Sequence, residues 1–217
     1  MPPGPRRPRA DAARNRRRLL DAAVEVFGEA GIDVPMSEVA RRAGVGIATL
    51  ARNFPAREDL IAAVFGASMT AYADTAAAAA ADPDPWRAFC GFIEYVCRIP
   101  GRDRGFGQVL TTMFPGVEVL ESERQRGLRE FIRLVRRAKE AGGLRPDFSP
   151  HDLPLIMLAT GGVTRAGTPA LAAAADRLVG YLLQACAAGN TGPLPGLPPP
   201  RELYRALEIS RPGPRSE

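Results

Sequence analysis

Residues 36–54, MSEVARRAGVGIATLARNF, constrain the fold more tightly than any other part of this 217-residue chain. Val39, Ala40 and Ala43 recur at three- and four-residue spacing, which places them on one face of a helix. Gly44 follows at the point where a helix ends with a positive φ, a conformation in which a Cβ would clash. The stretch therefore begins with a short helix that stops at a glycine turn.

The rest of this stretch predicts a second short helix, over residues 47–54, with Leu50 and Phe54 facing inward. Its outward side chains are small, polar or basic, namely Thr49, Arg52 and Asn53. Such a surface is what reading the major groove of DNA requires, and the two helices together have the geometry of a helix-turn-helix. Ordinary helical bundles also turn corners in this way, so the flanking residues decide between the two interpretations.

The first twenty residues are strongly basic. They contain seven arginines and one acid, Asp11, a local charge of +6 in a chain whose formal charge is +5. Basicity concentrated beside the motif is typical of a segment that contacts phosphates. The alternative is a solvated, disordered tail in an arginine-rich protein, since Lys139 is the only lysine. Four prolines within residues 1–10 predict that this segment is not helical.

Residues 11–30 have the apolar periodicity of a helix that would pack on the motif. The predicted apolar stripe consists of Leu20, Ala23, Val24 and Phe27. Gly31 occupies the position of a C-terminal cap. After Pro55 the helical pattern resumes, which completes a small N-terminal head.

The run from Arg16 to Phe65 resembles the N-terminal domain of the tetracycline-repressor (TetR) family of transcriptional regulators. It covers about a quarter of the chain. The matching positions are the Ala23-x-x-x-Phe27 pattern, Gly31, Val39-Ala40, Ala43-Gly44-Val45, Thr49-Leu50, Phe54 and the segment from Arg57 to Leu60. The resemblance implies a helix-turn-helix DNA-binding domain followed by a helical body that binds an effector and dimerises.

Two residues depart from the family pattern. Ala51 stands where the family usually has a tyrosine that touches a DNA phosphate. The absence of that tyrosine should remove a hydrogen bond worth about 1 kcal/mol. Ala48 stands where glycine is frequent. Its methyl group either meets a thymine methyl or favours the helix.

The candidate DNA-binding residues lie in the arm, the motif and the segment after it. Arg57 is expected to reach a phosphate from the start of its helix. The full set is Arg16, Arg17, Ser37, Arg42, Ile47, Ala48, Thr49, Arg52, Asn53 and Arg57.

Beyond the head the sequence predicts further helices and no strand, hence an all-α protein of about nine helices. Asp84 or Pro85 should start a helix that ends before Pro100. Four more are predicted over residues 102–114, 117–141, 150–166 and 169–188. The chain then divides into a basic disordered arm (1–13), a helix-turn-helix domain (14–66), an effector-binding and dimerisation domain (67–188) and a proline-rich tail (189–217), in which 201–209 are expected to form a helical turn or two.

Aromatic and sulfur-containing side chains of the body are candidates for an effector pocket, since ligand cavities of helical bundles are built from such residues. They are Trp86, Phe89, Cys90, Ile93, Phe106, Met113, Phe114 and Met157. Each is equally compatible with an ordinary hydrophobic core.

The last two predicted helices carry small and apolar residues that let helices approach closely. The family resemblance implies that they pair with their copies in a dimer. The candidate interface residues are Leu155, Leu158, Gly162, Leu171, Ala175, Leu178 and Leu182.

Little in the sequence favours catalysis. His151 is the only histidine and has no nucleophile motif beside it, and Cys90, Cys97 and Cys186 have the spacing of packing residues. We therefore expect no enzyme activity, no catalytic residue, no bound metal and no cofactor. Every apolar stretch is interrupted by Arg or Asp within a few turns, which predicts a cytoplasmic protein without a membrane span.

Together these features predict a homodimeric, DNA-binding repressor that a small apolar effector releases from a palindromic operator. The alternative is a ligand-binding or protein-interaction module whose DNA-binding head is weakened.

Overall fold

The computed structural model describes residues 7–164, 168–190, 192–196, 198–199 and 202, with only the backbone described at 7–10. The helices of this part of the chain are α1 (Arg7–Ala30), α2 (Met36–Ala43), α3 (Ile47–Asn53), α4 (Arg57–Ala81), α5 (Pro85–Arg102), α6 (Arg104–Thr111), α7 (Glu118–Glu140), α8 (Asp152–Thr164) and α9 (Pro169–Cys186). Among these residues the β-structure is limited to one isolated bridge between Leu144 and Ala187. The predicted all-α architecture is confirmed.

The start of α1 differs from the prediction. The helix begins at Arg7, so residues 7–13 of the predicted disordered arm are helical. Pro8 is compatible with this because it lies in the first turn, where its missing N–H has no intrahelical partner to lose.

The buried stripe of α1 matches the predicted one only in part. Leu19 and Val26 are buried together with the predicted Ala23 and Phe27, whereas Val24 is 54% exposed. The stripe shifts because α1 packs on α2, α3, α4 and α6 at once, and these neighbours surround a different side of the helix.

The long helix α4 belongs to both the head and the body, so the predicted domain boundary after residue 66 falls within it. Leu60, Ile61 and Phe65 are buried in the head, and Met69 and Tyr72 in the body, where α4 packs along α7. By length and composition, α4 is the one helix in the described part of the chain that is apolar enough to cross a membrane. The buried residues of α4 pack against other helices of the chain.

Helix α5 is the centre of the body and contacts α4, α6, α7, α8 and α9. Asp84 caps its N-terminus by accepting a hydrogen bond from the Arg87 N–H, as predicted. The helix does not end before Pro100 but continues to Arg102. Asp103 then ends α5 and caps α6, and its carboxylate accepts a hydrogen bond from the Phe106 N–H at 2.8 Å.

The connection between α7 and α8 is tied to the residues that follow α9. Arg145 is buried, and its guanidinium donates to the carboxylate of Asp147 and to the carbonyls of Ala185 and Gly192. Its backbone N–H donates to the carbonyl of Cys186 at 2.9 Å. The first residues of the proline-rich tail are thereby held against the body. Of the helical turn predicted at 201–209 only Glu202 is described; it is helical, and its N–H donates to the carbonyl of Pro199 at 2.9 Å.

Candidate nucleic-acid interface

The turn between α2 and α3 has the conformation that its glycine predicts. Gly44 has φ +64° and lies in the left-handed region. Its N–H donates to the carbonyl of Arg41, and the Val45 N–H donates to the carbonyl of Ala40. This pair of hydrogen bonds forms a Schellman motif, which satisfies carbonyls that the helix end would otherwise leave unpaired.

Helix α3 lies on the surface of the head with only one side buried. Leu50 and Phe54 face the core, as predicted. The polar side chains of the other face bond mainly to α3 itself. Arg52 donates from Nε to the carbonyl of Ala48 at 3.2 Å and from Nη2 to Oγ1 of Thr49 at 3.3 Å. The Asn53 amide donates to the carbonyl of Thr49 at 2.8 Å.

Two arginines of α1 donate hydrogen bonds to backbone carbonyls at the C-terminal ends of α2 and α3. Arg16 donates from Nη1 to the carbonyl of Asn53 at 3.2 Å, and its guanidinium carbon lies 4.4 Å from the centre of the Phe54 ring. Arg18 donates from Nη2 to the carbonyl of Gly44 at 3.3 Å. Positive charge at a helix C-terminus is favourable. These side chains therefore fix the orientation of the motif and place positive charge around it.

Arg42, a predicted DNA contact, bonds to carboxylates of α1 in this structure. Its guanidinium bonds to Glu25 at 3.2 Å and to Glu29 at 3.3 Å, which ties α2 to α1. The neighbouring Arg41 pairs with Glu38 in two hydrogen bonds, which lower the pKa of the Glu38 carboxyl. Both arginines are thus balanced by carboxylates and contribute little net charge to the interface.

Arg57, the predicted phosphate contact at the start of α4, bonds to backbone carbonyls of the head. Its Nη1 donates to the backbone carbonyls of Ile32 at 2.8 Å and of Val34 at 2.6 Å. The side chain is half-buried and fixes the loop between α1 and α2. The partners lie more than twenty positions away in sequence, so the spacing of residues around Arg57 gave no signal of this role.

The remaining candidates are at the surface. Arg17, Ser37, Ile47 and Ala48 are exposed. In the described part of the chain Arg17 takes part in no hydrogen bond or ion pair, so its guanidinium is available to a phosphate. The accessible part of the predicted interface therefore consists of Arg17 on α1 and of Ile47, Ala48 and Arg52 on α3.

The predicted effector residues divide between the core and a cavity. A cavity of about 180 Å³ lies among α4, α6, α7 and α8, and Met113 and Met157 line it. Its other walls include Tyr72, Leu110 and Leu128. The remaining six predicted residues, which do not line it, are Trp86, Phe89, Cys90, Ile93, Phe106 and Phe114.

Five of those six form part of ordinary packing. Phe89 and Ile93 are fully buried, and Phe89 contacts the rings of Trp86, Phe131 and Phe148. Phe106 stacks on Phe65 between α6 and the head, and Cys90 is half-buried against the same core. The sixth, Phe114, is buried beside a cleft between the body and the loop that Arg57 holds. The predicted aromatic residues therefore lie outside this cavity, and its aromatic lining residue is Tyr72, which was not among the candidates.

The predicted dimer residues lie mostly on one accessible side of α8 and α9. Leu155, Leu158 and Gly162 are exposed, and Leu171, Leu178 and Leu182 are half-buried. Ala175 is the exception, because it is buried within its own chain next to Val179. Successive side chains on a helix point about 100° apart, so a prediction that is wrong by one position can select a buried residue such as Ala175.

A three-helix head with an accessible helix-turn-helix, attached to a helical body with a cavity, defines a DNA-binding regulator of the helix-turn-helix class. The model of the family described as bacterial regulatory proteins, tetR family, matches residues 19–64. A TetR transcriptional regulator from Streptomyces coelicolor is 30% identical in sequence, over 79% of this chain and 98% of that chain, with a TM-score of 0.46. The chain belongs to the TetR family of bacterial transcriptional regulators, whose members are regulators rather than enzymes.

Two further solved structures share the fold at lower identity. A bacterial regulatory protein of the tetR family from Rhodococcus RHA1 is 18% identical, over 79% of this chain and 96% of that chain, with a TM-score of 0.57. RolR in complex with resorcinol is 18% identical, over 95% of this chain and 98% of that chain, with a TM-score of 0.50. None of the curated proteins compared with this chain matches it.

Proposed function

We propose that this protein is a cytoplasmic, homodimeric repressor that binds a palindromic operator and leaves it when a small apolar molecule enters the body. One observation carries the proposal. The exposed side of α3 carries Arg52, and Arg16 of α1 lies at the C-terminal end of the same helix, so basic side chains adjoin a surface that can face base edges. Phosphate contacts position a protein on DNA, and contacts to base edges specify the sequence.

The accessible side of α8 and α9 supports dimerisation. Leu155 and Leu158 expose more than a third of their surface, and Tyr181 exposes 56%. Apolar residues clustered on one side of a surface are typical of an interface between proteins. A symmetric dimer built through this side would place two α3 helices on half-sites about 34 to 36 Å apart, one turn of DNA.

The contacts of α6 support a route from the cavity to the head. Arg124, a cavity-lining residue of α7, donates to the carbonyls of Val109, Leu110 and Thr112 at the end of α6. At the other side of α6, Gln108 accepts a hydrogen bond from the Ile32 N–H of the head. A ligand that changes the position of Arg124 therefore acts on the helix that holds the head.

The size of the cavity favours a ligand of one ring. A cavity of about 150 Å³ lined by aliphatic and aromatic side chains is large enough for benzene, and this one measures about 180 Å³. RolR was solved with resorcinol, a molecule of that size. The ligand must bind the DNA-free conformation more tightly than the DNA-bound one, because only a difference in affinity shifts the equilibrium.

The proposal is tested by a gel-shift titration of the full-length protein on the DNA upstream of its own gene, at low salt. We expect a specific complex with the wild type and a weaker, less selective one with Arg52→Ala. Ser122→Ala, an exposed change on α7 in the body, serves as the control and should bind as the wild type does. Absence of any specific complex would favour the alternative, a ligand-binding or protein-interaction module with a weakened head.

The effector half of the proposal needs its own measurement. Mass spectrometry of the purified protein under native conditions should detect a bound molecule if one is retained. Leu128→Trp, which fills the cavity from α7, should prevent retention and make DNA binding insensitive to the molecule. Retention unchanged by this substitution would place the ligand elsewhere.

A further inference from the structure

The start of α3 has an exposed apolar side chain, whereas most large apolar side chains of the motif are buried. Ile47, the first residue of α3, is 54% exposed. Val39, Leu50 and Phe54 of the motif are at most 2% exposed, and Met36 and Val45 are partly buried against the same core. The exposed part of the Ile47 side chain therefore does not pack into the core of the head.

The residues around Ile47 make the accessible side of α3 rich in methyl groups. Ala48 and Ala51 are exposed and have only a methyl side chain. The polar groups of Thr49 and Asn53 are engaged with α3 itself. Few hydrogen-bonding side chains are therefore free to meet base edges, and the small alanines let the helix approach a surface closely.

Positive charge at the C-terminal end of α3 makes duplex DNA the partner that fits this helix best. Arg16 lies against Phe54 at the end of α3, and Arg17 on the same turn of α1 is exposed. A guanidinium at the C-terminal end of α3 and exposed methyl groups at its start suit a surface on which phosphates flank the floor of a groove. The major groove has one apolar group among its base edges, the 5-methyl of thymine, whereas the other edges present donors and acceptors.

On the basis of the function proposed above, we propose that Ile47 is a specificity-determining residue that reads the 5-methyl group of a thymine in each operator half-site. Contact with that methyl removes apolar surface from water on both molecules. Any other base at the same position would lose water from a polar edge and gain no hydrogen bond from Ile47.

Deoxyuridine gives a direct test, because uracil pairs as thymine does and lacks only the methyl group. The full-length protein is first used to enrich sequences from a pool of randomised DNA duplexes at low salt. The enriched duplex is then synthesised with uracil in place of thymine at one symmetric pair of positions at a time. Dissociation constants are measured for the wild type, Ile47→Ala and Ile47→Val.

We expect the wild type to lose affinity at one symmetric pair of thymines, about fourfold for each methyl removed and so about 15-fold for the pair. Ile47→Ala should bind the thymine duplex more weakly and respond equally to thymine and uracil at that pair. Ile47→Val should respond to an intermediate extent. Val24→Ala is a matched control, since Val24 is also 54% exposed but lies on α1, and it should keep the full response.

The outcomes separate this inference from the function on which it rests. Enrichment of a specific sequence with no response to uracil at any pair would overturn the inference alone. A response that persists unchanged in Ile47→Ala would also overturn it, provided that the variant has the thermal midpoint of the wild type. If no sequence is enriched, the proposed function fails, and this inference fails with it.

Discussion

Gln108 of α6 accepts a hydrogen bond from the backbone N–H of Ile32 at 2.7 Å, across 76 positions of sequence. Its amide also donates to the carboxylate of Asp33 at 3.3 Å. Gly31 permits this contact, because a Cβ there would lie 2.3 Å from the Gln108 oxygen and its φ is +89°. One side chain of the body thus fixes the loop between α1 and α2, directly before the helix-turn-helix.

Replacement of Gln108 by alanine should loosen that loop. The Ile32 N–H loses its acceptor in a partly buried position, so the free energy of unfolding should fall by about 1–2 kcal/mol. Hydrogen exchange at Ile32 should become faster in native conditions. Gln125→Ala is the control. Gln125 is exposed and, among the described residues, its side chain bonds to Glu121 of the same helix, so its loss should change neither measurement.

The close approach of α6 to α1 should depend on Gly105. A Cβ on this residue would lie 2.7 Å from the carbonyl oxygen of Phe27 and 2.7 Å from the ring of Phe65. The carbonyl belongs to a helix and cannot move freely, so we expect Gly105→Ala to destabilise the protein by about 1–3 kcal/mol in urea unfolding.

Gly91→Ala is the matched change in the opposite direction. Gly91 lies within α5 with nothing within 4 Å of the added methyl, so alanine should stabilise the protein by about 0.5–1 kcal/mol. Equal effects of the two substitutions would contradict the tight α1–α6 contact.

Arg57 and Arg17 should differ in how they affect DNA binding. Arg57→Ala should lower the thermal midpoint, since two backbone carbonyls lose their donor, and leave the salt dependence of binding unchanged. Arg17→Ala should leave the midpoint unchanged and reduce the slope of log K against log salt by about 0.9 for each phosphate that the variant no longer neutralises. A reduced salt slope in Arg57→Ala, with an unchanged thermal midpoint, would instead identify Arg57 as a phosphate-binding residue.

Cys97 should make stability depend on alkaline pH. Burial raises the pKa of its thiol from an ordinary value of 9.0 to about 11. The unfolded thiol ionises first as the pH rises, so stability is fully present below about pH 9 and is lost between pH 9 and 11. Urea unfolding at pH 8 and pH 10.5 should show a smaller loss for Cys97→Ala than for the wild type, and equal losses would contradict the burial of the ionisable thiol.

Much of the head could be predicted from sequence because its signals are local. A glycine that needs a positive φ and apolar residues at helical spacing are properties of a few consecutive residues, and both Gly44 and the inward pair Leu50 and Phe54 are confirmed. The same holds for the helix start at Asp84. Prolines were a weaker guide, since Pro8 and Pro100 both lie within helices.

The sequence by itself thus determined the all-α class, the glycine turn and the position of α3, because backbone conformation depends on near neighbours. Only the tertiary structure decided which arginines remain available to DNA and which residues surround the cavity. Arg42 and Arg57 have partners 13 to 25 positions away, and a guanidinium that bonds to carbonyls or carboxylates of its own chain is indistinguishable in sequence from one that meets a phosphate. That choice follows from how the helices pack, and it leaves Arg17 accessible while Arg57 is held within the head.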